Sequence, residues 1–139
     1  MAESIRDVMT TDPKTIDAGE TLAAAAKAMK DRDVGALVVT EQGSVIAIVT
    51  DRDIVIRGVA EEADTQTARV GDVASRELTA LSPDDTVEDA IRAMREQDVR
   101  RLPVIEDDRA VGIVSLGDLA VDRDPDSVLA DISAAPPQE

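Results

Sequence analysis

Two short polar motifs place a hydroxyl and a carboxylate at the same spacing. Thr50 precedes Asp53 by three residues, and Ser115 precedes Asp118 in the same way. Each motif follows an apolar run typical of a strand and opens a segment typical of a helix. A carboxylate there can accept hydrogen bonds from both hydroxyls of a ribose, while Thr or Ser donates to a phosphate near the positive helix end. The motifs therefore indicate a site for an anionic, ribose-bearing ligand.

The same spacing is also that of an ordinary helix cap. In a capping box, a Ser or Thr side chain and the acid three residues later satisfy backbone N–H groups at the helix start. Thr86 and Asp89 have this spacing at the start of another predicted helix and require no ligand. Taken singly, each motif is explained better by capping, because short motifs often match by chance. Both interpretations stay open at this point.

The composition restricts the chemistry that the chain can perform. Its 139 residues include no Cys and no His, which excludes disulfides, thiolate nucleophiles, imidazole bases and zinc sites built on those ligands. Carboxylates suit Mg²⁺ or Ca²⁺, but no calcium-loop motif is present. We therefore predict no metal site, and Mg²⁺ only together with a nucleotide. An enzyme is the weakest of the function classes, since acid–base chemistry would rest on Asp, Glu, Lys or Ser.

The net charge of −15 opposes nucleic-acid binding, which needs basic patches. The absence of Phe, Tyr and Trp also removes the usual platforms for base stacking. Solubility is the simplest explanation of the acidity, and a high-salt cytoplasm would select the same surface. No run of 18 apolar residues and no secretory signal is present, so we expect a cytoplasmic protein without a membrane span.

The elements that position the two motifs come from an internal repeat. Residues 5–56 align with residues 70–121 without a gap, so that Thr50 falls on Ser115 and Asp53 on Asp118. A gapless repeat preserves helix faces and strand registers, and it predicts two near-copies in space. We therefore predict an α/β fold of the α+β type, in which two β-α-β-β-α repeats pack about a pseudo-twofold axis with a cleft along it.

Apolar periodicity places the elements within each repeat. Helices begin at Thr21 and Thr86, and their buried stripes comprise Leu22, Ala25, Ala26 and Met29, and Val87, Ala90, Ile91 and Met94. Hairpins join residues 36–40 to 45–49 and residues 102–105 to 110–114. Short strands precede them near residues 15–16 and 79–81, and brief helical lead-ins cover residues 5–9 and 70–74. The first repeat spans residues 4–60, the linker 61–68, the second repeat 69–122, and an acidic, partly disordered tail 123–139.

The residues around both motifs resemble the ligand signature of cystathionine β-synthase (CBS) domains. Residues 47–53 read Ala-Ile-Val-Thr-Asp-Arg-Asp, and residues 112–118 read Gly-Ile-Val-Ser-Leu-Gly-Asp. Residues 98–104, Asp-Val-Arg-Arg-Leu-Pro-Val, resemble the segment that enters the second strand of that family. The similarity covers residues 4–122 and is greatest to stand-alone tandem CBS proteins, or Bateman modules. It implies that AMP, ADP, ATP or S-adenosylmethionine binds in clefts between the repeats and that no cofactor is required.

The resemblance also implies roles for matching positions. Ribose hydroxyls would bind Asp53 and Asp118. Phosphate or ribose would contact Thr50, Ser115, Arg52, Arg100 and Arg101, and the adenine edge would meet backbone at Thr15, Ile16, Ala80 and Leu81. The arginines are not duplicated, because Gly117 stands opposite Arg52 and Gly35-Ala36 stand opposite Arg100-Arg101. We therefore predict one better site, containing Asp53, although surface ion pairs explain the arginines equally well.

The function implied by the resemblance is a non-catalytic regulatory module. It would bind an adenine nucleotide, form a homodimer, and signal energy or metabolic state to an unidentified partner protein. The alternative is a ligand-free dimerisation or interaction scaffold of the same fold, in which Thr50 and Ser115 serve only as helix caps.

Overall fold

The structure is a computed structural model that describes residues 4–76 and 79–123, so the predicted tail from residue 124 onward lies outside the described residues. The helices are α1 (Ile5–Val8), α2 (Leu22–Arg32), α3 (Asp51–Asp53), α4 (Val70–Val73), α5 (Val87–Gln97) and α6 (Leu116–Arg123), and α3 continues as a π-helix over Ile54–Val59. The strands are β1 (Thr10–Thr11), β2 (Thr15–Asp17), β3 (Ala36–Glu41), β4 (Ser44–Thr50), β5 (Arg101–Glu106) and β6 (Arg109–Ser115). The predicted mixed α/β fold is confirmed. Every helix among these residues falls short of the length and hydropathy that a membrane span requires.

Both predicted hairpins are present and are closed by two-residue turns. β3 pairs antiparallel with β4, and β5 pairs antiparallel with β6. The turn residues Gln42 and Gly43 have φ values of 53° and 84°, and Asp107 and Asp108 have φ values of 54° and 64°. Positive φ at both central positions is typical of type I′ turns, whose twist matches that of the flanking strands. Glycine adopts this conformation freely, whereas the two aspartates rely on the tolerance of short polar side chains for it.

The long helices α2 and α5 begin one residue after the predicted Thr21 and Thr86, which are their N-caps. Thr21 and Thr86 each accept a hydrogen bond, at 3.1 Å, from the N–H group three residues later. The prediction that Ala26 is buried is wrong, because at 100° per residue it lies at the flank of the apolar stripe and is exposed. Ile91 is half-buried. The fully buried positions are Leu22, Ala25 and Met29 in α2, and Val87, Ala90 and Met94 in α5.

The short opening strand is well formed in only one repeat. β2 runs parallel to β3, and the Val38 N–H donates to the Lys14 carbonyl at 2.9 Å. At residues 79–81 the predicted strand is reduced to a single bridge from Leu81 to Val104. The counterpart of Val38 there is Pro103, which has no N–H and cannot donate to the ladder. Proline therefore shortens this strand.

The described residues form two compact units. The first unit lies within Pro13–Leu78, and the second combines residues of Met1–Asp12 with residues of Thr79–Glu139. In the second unit, β1 extends the hairpin β5–β6, with Thr10 beside Ile113. The Ile5 N–H also donates to the Asp85 carbonyl at 2.8 Å, and Ile5 is fully buried. The lead-in of the first repeat therefore packs in the unit that contains the second hairpin.

The first unit is completed in the same way. Ser75 forms a bridge with Ile48 of β4, through backbone hydrogen bonds of 2.9 and 3.2 Å. The Val70 N–H, at the start of α4, donates to the Glu20 carbonyl at 2.8 Å. The spatial boundaries of the two units therefore differ from the sequence boundaries of the repeats by the two lead-ins.

The two lead-ins use different side chains at equivalent positions. In the second unit, a Cβ atom on Gly112 would lie 2.5 Å from Met9 Sδ and 3.0 Å from the Thr10 carbonyl oxygen. In the first unit the counterparts of Met9 and Gly112 are Ala74 and Ala47, which are both buried. A large side chain over glycine and a small side chain over alanine are thus two solutions to the same packing problem.

Substitution of Gly112 by Ala should lower the free energy of unfolding by about 1–3 kcal/mol, the usual cost of overpacking a tight contact. Adding Met9→Ala should recover part of this loss, because the double variant copies the Ala74 and Ala47 pair of the first unit. Urea unfolding followed by circular dichroism measures both values. Strictly additive losses in the double variant would contradict a direct conflict between the two side chains.

Candidate functional site

The first polar motif lies where β4 passes into α3. Thr50 is the helix cap: its Oγ1 accepts a hydrogen bond from the Asp53 N–H at 3.1 Å, and Asp53 Oδ2 accepts one from the Thr50 N–H at 2.9 Å. Both side chains are half-buried. The Thr50 hydroxyl proton remains available for donation, since a hydroxyl can donate while it accepts. Oδ1 of Asp53 has no hydrogen-bond partner among the described residues.

The second motif has the same geometry between β6 and α6. The Ser115 N–H donates to Asp118 Oδ2 at 2.9 Å, and the Asp118 N–H donates to Ser115 Oγ at 3.1 Å. Both side chains are half-buried. The repeat therefore produces two equivalent junctions, each with a capping box and one carboxylate oxygen directed elsewhere.

The third capping box provides an internal reference. Thr86 and Asp89 exchange hydrogen bonds of 3.0 and 3.1 Å at the start of α5. The hydrogen bond from the Thr86 N–H to the Asp89 carboxylate lowers the pKa of Asp89, with further contributions from the Thr86 side chain and, less, from the charge of Arg92. Capping geometry is thus shared by all three motifs, and it alone does not mark a ligand site. A ligand site at the first two motifs has to be recognised from the residues that surround them.

In the first unit, the edge strand β2 starts at the end of the sheet where Thr50 lies. Thr15 lies beside Val38 of β3, and Ala36 of β3 lies opposite Thr50. From the usual strand spacing and rise, the Cα atoms of Thr15 and Thr50 are roughly 12 Å apart. The predicted adenine and ribose residues of this unit are thus placed at one end of one sheet.

The strand alternation determines which backbone groups a ligand can reach. The carbonyl of Lys14 accepts from Val38, and the Ala18 N–H donates to Thr40, so even-numbered residues of this segment direct their hydrogen bonds toward β3. Thr15 therefore directs its N–H and carbonyl away from the sheet. Ile16 is one of the even-numbered residues whose N–H and carbonyl point toward β3. Thr15 is therefore the better backbone contact for a ligand.

The second unit shows the same distinction at the counterpart residues. The Leu81 N–H donates to the Pro103 carbonyl at 2.9 Å, and its carbonyl accepts from the Ile105 N–H at 2.8 Å. Leu81 is also only 3% exposed. Its neighbour Ala80 is exposed. Ala80 is therefore the better backbone contact in this unit.

The predicted cationic residues are divided between the units. Arg52 lies on α3 in the first unit and is exposed. Arg101 lies directly opposite Ser115 in the pairing of β5 with β6, which puts the two side chains on the same face of the sheet. Arg100 is exposed, and its carbonyl accepts the Leu116 N–H at 2.8 Å. Within residues 4–76 and 79–123, none of these three guanidinium groups forms an ion pair. Surface ion pairs therefore do not account for these three arginines in this part of the chain.

One feature was not predicted from the sequence. Directly after Asp53, the π-helix exposes three large apolar side chains: Val55 is 54%, Ile56 45% and Val59 55% exposed. The available signal was the run Ile54-Val55-Ile56, which is too apolar for the exposed side of a helix. In the described part of the chain, no group of three or more acidic residues is arranged to hold a metal ion.

Known proteins share this arrangement of elements. The CBS domain family matches residues 5–58 and residues 70–121. The CBS domain-containing protein YhcV of Bacillus subtilis is 43% identical over 120 residues, which cover 86% of this chain and 85% of that protein. Hypoxic response protein 1 of Mycobacterium tuberculosis is 37% identical over 116 residues, which cover 83% of this chain and 81% of that protein.

Solved structures agree with the sequence comparison. The crystal structure of Hypoxic Response Protein I with two coordinated zinc ions is 36% identical, has a TM-score of 0.77, and is matched over 84% of this chain and 96% of that chain. The hexameric CBS-CP12 protein from bloom-forming cyanobacteria is 28% identical, has a TM-score of 0.80, and is matched over 95% of this chain and 81% of that chain. This chain therefore belongs to the CBS domain family and contains two CBS domains.

Proposed function

We propose that this protein is a non-catalytic regulatory module that binds an adenine nucleotide and passes its occupancy to a partner protein. The observation that carries the proposal is the duplicated strand-to-helix junction. Among the residues that the structure describes, each half-buried carboxylate has one oxygen without a hydrogen-bond partner, and the nearby Arg52 and Arg101 form no ion pair. A ligand with ribose hydroxyls and an anionic group complements those donors and acceptors. No nucleic acid or membrane partner is proposed, since the net charge is −15.

Each unit offers the same set of contacts to the nucleoside. In the first unit, Oδ1 of Asp53 accepts the ribose hydroxyls, and the Thr50 hydroxyl donates to phosphate or ribose. The outward N–H and carbonyl of Thr15 meet the acceptor and the amino group on the adenine edge. In the second unit, Asp118 and Ser115 take the same roles, with Ala80 at the adenine.

The two units differ in the arginines that are available to a phosphate group. Arg101 lies on the same face of the sheet as Ser115, whereas its counterpart in the first unit, Ala36, lies opposite Thr50. The first unit has Arg52 at its own junction. The sequence predicts the better site at Asp53 because the arginines of both halves could contribute to a single phosphate site there. Within each unit alone, the strand pairing favours Asp118 for a ligand whose phosphate is close to the ribose.

Isothermal titration calorimetry with AMP, ADP, ATP and S-adenosylmethionine tests the proposal, with inosine monophosphate as a probe of adenine recognition. We expect binding of at least one adenine nucleotide at micromolar to millimolar concentration, and weaker binding of inosine monophosphate because it lacks the amino group. Absence of heat and of any thermal shift with all ligands at millimolar concentration would refute nucleotide binding. Zinc, present in Hypoxic Response Protein I, is not proposed here because the chain has neither Cys nor His.

The exposed apolar side chains of the π-helix favour self-association, which is also the basis of the alternative function as a scaffold. Val55, Ile56 and Val59 are all about half exposed in a chain of high charge. The CBS-CP12 protein is hexameric. We propose that a second copy of this chain covers these three side chains in a homodimer. Because each copy carries a charge of −15, added salt should strengthen the dimer.

Substitution of Val59 by Glu should weaken the dimer at least 10-fold, because it places a charge in an apolar contact. Sedimentation velocity across a concentration series measures the dissociation constant. Gln66→Glu adds the same charge at an exposed polar position and should change the constant less than threefold. Equal effects of the two substitutions would indicate general charge repulsion and remove this helix from the interface.

A further inference from the structure

The helix after Asp53 is wound differently from its counterpart after Asp118. Over Ile54–Val59 it is a π-helix, and beyond it the Ala60 N–H donates to the Val55 carbonyl at 2.8 Å. The Ala63 N–H likewise donates to the Gly58 carbonyl, five residues earlier, at 3.0 Å. The counterpart α6 is an α-helix over Leu116–Arg123. π-Helices are rare and occur frequently at functional sites. Each hydrogen-bonded turn of this helix thus contains one residue more than a turn of α6, directly after the candidate ligand site.

Two contacts at the ends of this segment account for the extra residue. At the start, the capping box holds Thr50 against Asp53. At the far end, Gly58 packs so closely on the fully buried Leu22 that a Cβ atom would lie 2.7 Å from Leu22 Cδ1. An α-helix from the same cap would turn about 100° per residue and would bring Arg57 to the place of Gly58. The π winding is therefore the arrangement that keeps both contacts.

The same winding determines what the segment presents to its surroundings. Val55, Ile56 and Val59 lie within or at the end of the π-helix and are about half exposed. Loss of one residue from the turn would rotate the positions beyond it by about 100° relative to the capping box. A change at Asp53 is thereby connected, through five residues of continuous helix, to an apolar surface.

We propose that the π-helix is a register switch that links ligand binding at Asp53 to the apolar surface formed by Val55, Ile56 and Val59. A ribose bound to Asp53 Oδ1 pulls the carboxylate and weakens the hydrogen bond from the Thr50 N–H to Oδ2, which loosens the first turn of α3. The helix then adopts the α winding, and the apolar side chains change their orientation. This inference rests on the proposed ribose contact of Asp53. It assigns the regulation of self-association to the first unit, because α6 in the second unit carries no extra residue.

The first test needs no ligand. Asp53→Ala removes the carboxylate from the cap, and we expect it to change the hydrogen-exchange rates of the Ala60 and Ala63 amides at least fivefold by NMR. Asp89→Ala disrupts the reference cap of α5 and should leave both rates within twofold. If Asp53→Ala also leaves them within twofold, the cap does not communicate with the π-helix and the switch is refuted, whatever the nucleotide affinity.

The second test uses a deletion. Removing Ile56 takes out the extra residue while the cap and Gly58 are retained, and Ile56→Ala is the control that keeps the chain length. In the wild type and in Ile56→Ala, saturating AMP should change the dimer dissociation constant at least fivefold. The deletion variant should bind AMP within threefold of the wild type but change that constant less than twofold. An unchanged AMP effect in the deletion variant would overturn the switch, whereas absence of AMP binding in the wild type would refute the proposed function and leave the exchange experiment to decide the switch.

Discussion

Replacement of Asp118 by Ala is expected to weaken AMP binding to the second unit about 10- to 100-fold. The carboxylate is proposed to accept the ribose hydroxyls, and hydrogen bonds to a charged group contribute about 1.5–3 kcal/mol each. The effect should be largest here because Arg101 lies opposite Ser115, where a phosphate close to the ribose can reach it, whereas the first unit has Ala36 at the matching position. Calorimetry with AMP should show the tighter of two sites lost in Asp118→Ala, and the weaker site lost in Asp53→Ala.

The reference cap separates binding from stability in this experiment. Asp89 makes the same two hydrogen bonds with Thr86 as Asp118 makes with Ser115. Asp89→Ala should therefore cost a similar stability, about 0.5–2 kcal/mol, without changing either AMP affinity. A loss of affinity in Asp89→Ala would show that the binding data report only general destabilisation. Loss of the tighter site in Asp53→Ala would instead show that Arg101 does not select the site.

Truncation of a buried leucine side chain in either hairpin should have the largest effect on folding. Leu37 in β3 and Leu102 in β5 are counterparts in the repeat, and both are 0% exposed. Leu37→Ala and Leu102→Ala should each lower the free energy of unfolding by about 2–5 kcal/mol, because each loses buried apolar contacts and leaves a cavity. That is a large part of the 5–15 kcal/mol that stabilises a typical domain. Urea unfolding followed by circular dichroism provides the measurement.

An exposed apolar residue is the appropriate control. Val55→Ala removes methyl groups from a side chain that is 54% exposed, and below the dimerisation concentration it should change the unfolding free energy by less than 1 kcal/mol. A loss below 1 kcal/mol for either leucine would contradict its place in a close-packed core. Since size alone would make each half of the chain only marginally stable by itself, we expect one cooperative transition in both leucine variants.

Several local features of this protein were predictable from the sequence because their causes lie within a few residues. The caps at Thr21 and Thr86 follow from hydroxyl side chains next to an apolar helical period. The hairpin after β3 follows from Gly43 between two apolar runs. The gapless repeat then predicted a matching hairpin and a matching capped junction in the other half, in the same register.

Other features depend on residues that are distant in sequence, and the sequence pattern did not reveal them. The lead-in at Ile5 looks like the start of its own repeat, yet its N–H donates to Asp85. The strand at residues 79–81 depends on a partner position that happens to be Pro103, and periodicity within the strand carries no information about that partner.

The sequence by itself determined the fold class, the family, and the residues that form the two capped junctions. Tertiary structure alone decided that Arg101 faces Ser115, that Thr15 and Ala80 turn their backbone groups outward, and that the helix after Asp53 takes a π winding. The physical reason is that propensity, capping and periodicity act between neighbours in the chain. The pairing of strands and the contact of Gly58 with Leu22 arise only when distant segments compete for the same space.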